Sequence, residues 1–254
     1  MLILYNLMLL AAAAAIIPVL LWRIAVKGKY RKGLGERLGF VKFNDKERDA
    51  HWLMIHAVSV GEVAVAAPLI EMLKQRAPEL HILLTTTTDT GQAVAQTAGA
   101  DRVTYFPCDL PGSATRLMRA IRIHACLIVE TEIWPNFLFA AKRVGAKVAI
   151  VNGRISDTSF HRYKCLGGMA ARILNLFDLC CMQSGTDAER LLALGASGHR
   201  VAVTGNVKFD RAAGMGNGND TLSRADYNLP EGRPILLAGS IHGQEADYIL
   251  EAFQ

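Results

Sequence analysis

Four polar clusters each follow a run of apolar residues, and together they hold the side chains best suited to chemistry. Glu62 closes Ala57-Val58-Ser59-Val60-Gly61-Glu62, just after Leu53-Met54-Ile55. Thr85-Thr86-Thr87-Thr88-Asp89-Thr90-Gly91 is a hydroxyl-rich turn leading into a helical pattern. Glu130 and Glu132 follow the run Cys126-Leu127-Ile128-Val129, and Lys208 lies in Asn206-Val207-Lys208-Phe209-Asp210. In an open α/β sheet, ligands bind outside the carboxyl ends of the strands, so polar residues just past strand ends are the first candidates.

Each cluster admits a plainer role. Glu62 is either a helix-start charge or a catalytic base. The threonines fill a strand and cap a helix as readily as they bind a ligand. Glu132 suits a capping or surface acid, and Lys208 alone a solvated turn. Glu130 continues an apolar strand, where burial raises a carboxyl pKa and calls for a partner. Two strand-end acids and one strand-end lysine on one sheet edge make an acid/base and anion-handling set.

The elements that must position them alternate in type. Strands are expected at Leu53–His56, His81–Thr86, Val103–Phe106, Ala125–Glu130, Lys147–Asn152, Leu179–Gln183 and Arg200–Thr204. Helices are expected at Val63–Arg76, Gly91–Ala98, Ser113–Arg122, Asn136–Val144, Gly168–Leu176 and Asp187–Leu194. Strands apolar throughout, with helices between them, predict a doubly wound, Rossmann-like parallel sheet covered on both faces. After it, Arg211–Ser223 is rich in Gly and Asn without periodicity. Its Gly214-Met215-Gly216-Asn217-Gly218 neither follows a strand directly nor opens an apolar helix, which excludes a dinucleotide fingerprint. Pro234–Ala238 then predicts another buried strand, turning through Gly239–Glu245 into a helix still running at Gln254. The turn at Gly239-Ser240 is either an ordinary strand–helix connection or a source of N–H groups for a phosphate.

The expected organisation is an anchor at 1–22, an α/β domain at 23–210, a linker at 211–230, and the start of a second Rossmann-like domain at 231–254. The chain reads as truncated inside that second domain. The anchor rests on Leu2–Trp22, which carries no charge and has the roughly 20 residues a membrane-spanning helix needs. Tyr5 and Trp22 lie near its ends, and Arg23, Lys27, Lys29, Arg31, Lys32 and Arg37 follow it. A secretory signal has the reverse order of charge, so the positive-inside rule places everything after Trp22 in the cytoplasm. The basic flank also attracts anionic lipid.

A chain of 254 residues with 51% hydrophobic content buries a core, and its net charge of +5 favours anionic partners. Cys108, Cys126, Cys165, Cys180 and Cys181 form no metal-ligand spacing and read as reduced, mostly buried thiols. The seven histidines are scattered, and no P-loop, H-E-x-x-H, G-x-S-x-G or kinase signature is present.

An ordered set of segments resembles the 3-deoxy-D-manno-octulosonic acid (Kdo) transferases of lipopolysaccharide synthesis. The set comprises the anchor with its basic flank, Tyr30-Arg31-Lys32, Gly35-Glu36-Arg37-Leu38-Gly39-Phe40, His56–Glu62, Thr85–Gly91 and Pro107-Cys108-Asp109-Leu110-Pro111. It continues with Glu130–Asn136, Asn152-Gly153-Arg154-Ile155-Ser156, Thr204–Asp210 and Ser240–Glu245. Asp89 and Cys108 are local departures.

The resemblance implies an inverting, membrane-anchored glycosyltransferase of the two-domain GT-B type. Such an enzyme moves Kdo from CMP-Kdo to the lipid A precursor (lipid IVA) at the cytoplasmic face of the inner membrane. It uses no metal or cofactor at the transfer centre and no nucleic acid. The amino-terminal domain takes the acceptor and the carboxyl-terminal domain the donor. By position, Glu62 matches the general base, and Glu130 and Lys208 match transition-state stabilisers. The 254-residue chain alone is then expected to transfer no sugar. The competing class is a non-transferase on the same scaffold, such as a nucleotide-sugar epimerase, for which a membrane tether has no use.

Overall fold

A computed structural model describes residues 2–3, 5–14, 33–209, 223–227, 229–230, 232 and 234–253. The chain divides into two compact units, Met1–Ala213 and Gly214–Gln254.

The first unit is built on seven parallel strands: β1 (His51–His56), β2 (His81–Thr86), β3 (Arg102–Tyr105), β4 (Arg122–Val129), β5 (Lys147–Gly153), β6 (Leu179–Met182) and β7 (Val201–Val203). Their order is β3-β2-β1-β4-β5-β6-β7. The chain winds outward from β1 in one direction, then returns to lay β4 against the other side of β1. The β1/β4 boundary is therefore the topological switch point, where the loops at the carboxyl edge diverge and leave a crevice. β1 and β2 are buried along all but their first residues, because helices cover both faces.

One face packs under α4 (Val60–Arg76) and α5 (Asp89–Ala95), with Ile55, Val63, Ala66, Ile70, Leu84 and Val129 in its core. The other packs under α6 (Ser113–Ala120), α7 (Pro135–Arg143), α9 (Gly168–Leu174) and α10 (Gly185–Ala193), around Trp52, Met54, Leu117, Phe137, Ile150 and Phe177. Before the sheet come α1, described over residues 5–14, α2 (Leu34–Arg37) and α3 (Asp45–Asp49).

Several expectations shift. α4 begins at Val60, three residues early, so Glu62 stands inside its first turn. β4 ends at Val129, and Glu130 leaves the strand with φ 58°. An unforeseen helix, α8 (Asp157–Lys164), starts where the Ser156 hydroxyl accepts from Ser159 N–H. It buries no residue fully, and only Phe160 and Tyr163 pack against the core, too short an apolar stripe to betray it. The strand expected at Pro234–Ala238 is absent: residues 234–239 are irregular and Leu237 is exposed. An extended segment without a neighbouring strand has no ladder for its N–H and C=O groups. The helix beyond it runs Glu245–Phe253. The cysteines are all free, but Cys108 and Cys165 are exposed rather than buried.

Among the described residues no helix is long and apolar enough to cross a membrane. The rest of the expected anchor, the basic flank to Lys32 and most of the linker lie outside the described residues. Within α1, Tyr5 and Asn6 do not behave as lipid-facing side chains. The Tyr5 hydroxyl donates to Asp109 Oδ2 at 2.8 Å, and Asn6 Oδ1 accepts from Asn136 Nδ2 at 2.7 Å. Ile3, Leu7, Met8 and Leu10 of the same segment are exposed.

Candidate active site

Glu62 and Glu130 follow β1 and β4, the two strands that flank the switch point. Ser59 and Glu62 have the S-x-x-E spacing of a capping box, but the bonds differ from it. Glu62 Oε2 accepts from Val58 N–H at 2.8 Å and Oε1 accepts from the Ser59 hydroxyl at 3.2 Å. Ser59 caps no helix N–H itself. The helix start thus fixes the carboxylate in place, with 9% of the residue exposed. Burial pushes its pKa up to about 7, the charges of Glu130 and Glu132 add to the rise, and the bonds from Val58 and Ser59 oppose it. A carboxyl group balanced between its two forms near neutral pH is suited to proton transfer.

The threonine turn supports this arrangement. Val58 C=O accepts from Thr87 N–H and Thr88 N–H, both at 3.2 Å, and from the Thr88 hydroxyl at 3.3 Å. Thr88 also caps α5 by accepting from Gly91 N–H at 3.0 Å. The buried Thr85 and Thr86 hydroxyls donate to Ile55 C=O and Gln92 Oε1. The run therefore fills a strand, caps a helix and clamps the peptide that holds Glu62.

Glu130 adopts the left-handed region, where a non-glycine residue costs on the order of 1–3 kcal/mol. Its N–H still continues the ladder to Val151 C=O at 2.9 Å. Lys208 comes from the far edge of the sheet yet brings its Nζ to 3.8 Å from Glu130 Oε1. Asn152, buried at the end of β5 with φ 55°, makes this return possible. Its Oδ1 accepts from Val207 N–H at 3.1 Å, and its C=O accepts from Gln183 Nε2 at 2.9 Å. Gln183 Oε1 accepts from Asn206 Nδ2 at 3.2 Å, and Asn206 Oδ1 from Lys208 N–H at 3.0 Å. Sequence reasoning missed Asn152 and Gln183 as positioning residues. The available signal was a polar side chain at the end of a buried strand, which must find a partner.

Glu132 adds a half-buried acid whose pKa is raised by burial and by Glu130. The structure thus groups Glu62, Glu130, Glu132 and Lys208 at one sheet edge. His56 ends β1 beneath them but is buried against Phe106, ring centroids 3.7 Å apart, and burial lowers its pKa to about 3. It is a neutral wall residue, not a base.

The family described as 3-deoxy-D-manno-octulosonic-acid transferase (kdotransferase) matches residues 32–211. A 3-deoxy-D-manno-octulosonic acid transferase of Haemophilus influenzae is 34% identical over 230 residues, covering 88% of this chain and 52% of that protein. The protein of that name from Chlamydia pneumoniae is 31% identical over 256 residues, covering 98% and 58%. The chain spans about half the length of the curated relatives it matches. Among solved structures, the S. aureus MnaA-UDP co-structure aligns with TM-score 0.50 at 17% identity, over 70% of this chain and 51% of that one. A putative UDP-N-acetylglucosamine 2-epimerase from Listeria monocytogenes aligns with TM-score 0.50 at 15% identity, over 70% and 50%. At that identity the likeness speaks for the fold alone.

Proposed function

This chain belongs to the 3-deoxy-D-manno-octulosonic acid (Kdo) transferase family, and from that premise we propose that it forms the acceptor-binding side of an inverting GT-B glycosyltransferase. The donor is CMP-Kdo and the acceptor is the lipid A precursor. The apolar side chains that the α1 segment exposes, Ile3, Leu7, Met8 and Leu10, hold the site at the inner membrane, with the domain after it on the cytoplasmic side. No metal or other cofactor enters the mechanism.

Glu62 accepts the proton of an acceptor hydroxyl as that oxygen attacks the anomeric carbon of Kdo, a step worth roughly 10²–10⁴-fold. The C–O bond to CMP breaks on the opposite face, which inverts the configuration. Charge that builds on the departing phosphate is opposed by the Lys208 ammonium. Glu130 aims that lysine and balances positive charge on the sugar ring. The observation that carries this reading is the desolvated, firmly held Glu62 carboxylate at the switch point, poised near pH 7 beside the Glu130–Lys208 pair.

The test is incubation of the full-length enzyme with CMP-Kdo and lipid A precursor. A Kdo-bearing lipid and free CMP are expected. No such product, or epimerisation of a nucleotide sugar, contradicts the reading.

A further inference from the structure

An apolar cavity of about 260 Å³ opens beside the candidate active site, between α1 and α9. Its walls include Met8, Ile133, Pro135, Met169, Ile173 and Leu174, and no residue that lines it carries a charge. Two observations fix its position. Ile133 lies on the same loop as Glu130 and Glu132, and Pro135 opens α7 directly after it, so the cavity wall adjoins the acid cluster in the chain. Tyr163, also in the wall, has its hydroxyl pKa raised by burial and by the charge of Glu132, the acid that also acts on Glu62.

The walls are held by polar bonds outside the cavity. Asp109 Oδ1 accepts from Phe137 N–H at 2.8 Å and Oδ2 from Asn136 N–H at 3.1 Å, which caps α7 behind Pro135. The same Oδ2 receives the Tyr5 hydroxyl, so one buried carboxylate ties α1 to the catalytic loop. Of the lining residues, Leu166 and Met8 are exposed, so the apolar wall reaches the protein surface.

We propose that this cavity takes one fatty acyl chain of the acceptor while its sugar hydroxyl lies at Glu62. The inference rests on the reading of the acceptor as a lipid and assigns the place of its chain. A charge-free slot that begins at the acid cluster and ends at exposed aliphatic side chains matches a molecule polar at one end and aliphatic at the other. The chain thereby sets the depth at which the sugar head meets the base. Each methylene that leaves water on binding strengthens affinity about 4-fold, so even a few carbons in the slot dominate acceptor KM.

The full-length enzyme is assayed with acylated acceptor and with the deacylated, water-soluble sugar head. Ala170→Phe fills the slot, and Leu166→Gln makes its rim polar. Both variants are expected to raise KM for the acylated acceptor at least 10-fold. KM for CMP-Kdo and transfer to the deacylated head are expected to stay unchanged. An equal loss on both acceptors, or none on either, overturns the proposal.

A second readout needs no turnover. An acceptor analogue with a photoreactive group in its acyl chain is expected to label residues 163–174 of the full-length enzyme, with protection by unlabelled acceptor and not by phosphatidylglycerol. Labelling confined to other segments, or equal protection by both lipids, overturns it. Wild-type enzyme that is labelled in 163–174 but forms no Kdo product upholds chain binding and contradicts the transferase reading, so the two failures are separable.

Discussion

Lys208 Nζ lies 3.8 Å from Glu130 Oε1, although two strands, β5 and β6, separate the strands that precede them. The return is made by backbone. Beyond β7 the segment 204–208 folds over the carboxyl edge and is caught by Asn152 at the end of β5. The pair is half-exposed, and such pairs contribute about 0–1 kcal/mol to stability. Its value is therefore positional.

Lys208→Ala is expected to reduce kcat about 10²–10³-fold, the range for removal of one group that stabilises developing charge. The free energy of unfolding in urea should change by less than about 1 kcal/mol. A large stability loss with unchanged kcat would show a structural lysine instead.

Asn152 should affect stability and rate together. Asn152→Ala deletes the acceptor for Val207 N–H from a buried position and leaves an L-alanine in the left-handed region. Lost pairing of a buried group costs about 1–3 kcal/mol, read by urea unfolding, and kcat should fall because Lys208 loses its support. Unaltered stability would contradict the network.

Backbone strain at Glu130 gives a paired comparison. Glycine adopts φ 58° freely and alanine does not. Glu130→Gly is therefore expected to be more stable than Glu130→Ala, by roughly 0.5–1 kcal/mol, while both lose activity. Equal stabilities would mean that the left-handed turn carries no cost.

Linkage at Glu62 predicts the sign of a pH effect. Its pKa rises on folding from 4.5 to about 7, so between these values the folded state holds more protons than the unfolded one. Stability contributed by this group then falls as pH rises through that window. Glu62→Gln removes the titration, so the gap in stability between variant and wild type should shift in favour of the variant from pH 5 to pH 8. A gap independent of pH would contradict the buried, raised carboxyl.

Much of this organisation is legible in the residues alone. The seven strands of the first unit fall within a few residues of where continuous apolar runs place them, because burial on both faces leaves little room for polar side chains. Glu62 and Glu130 are visible for the same reason, as the first acids after such runs. Three things are not. α8 turns only Phe160 and Tyr163 toward the core, too few apolar positions to stand out as a period. The approach of Lys208 to Glu130 depends on a hydrogen bond between residues 55 apart in sequence, which no local pattern encodes. The apolar run at Pro234–Ala238 has the composition of a strand, but composition cannot supply the neighbour that a strand requires.

The pH dependence of kcat/KM for Kdo transfer by the full-length enzyme, wild type against Glu62→Gln, tests the central claim most directly. The wild-type profile should rise with deprotonation of a group of pKa near 7, and the variant should lose that limb together with roughly 10²–10⁴-fold in rate. Transfer by Glu62→Gln at the wild-type rate, with the same acidic limb, would contradict the assignment of Glu62 as the base.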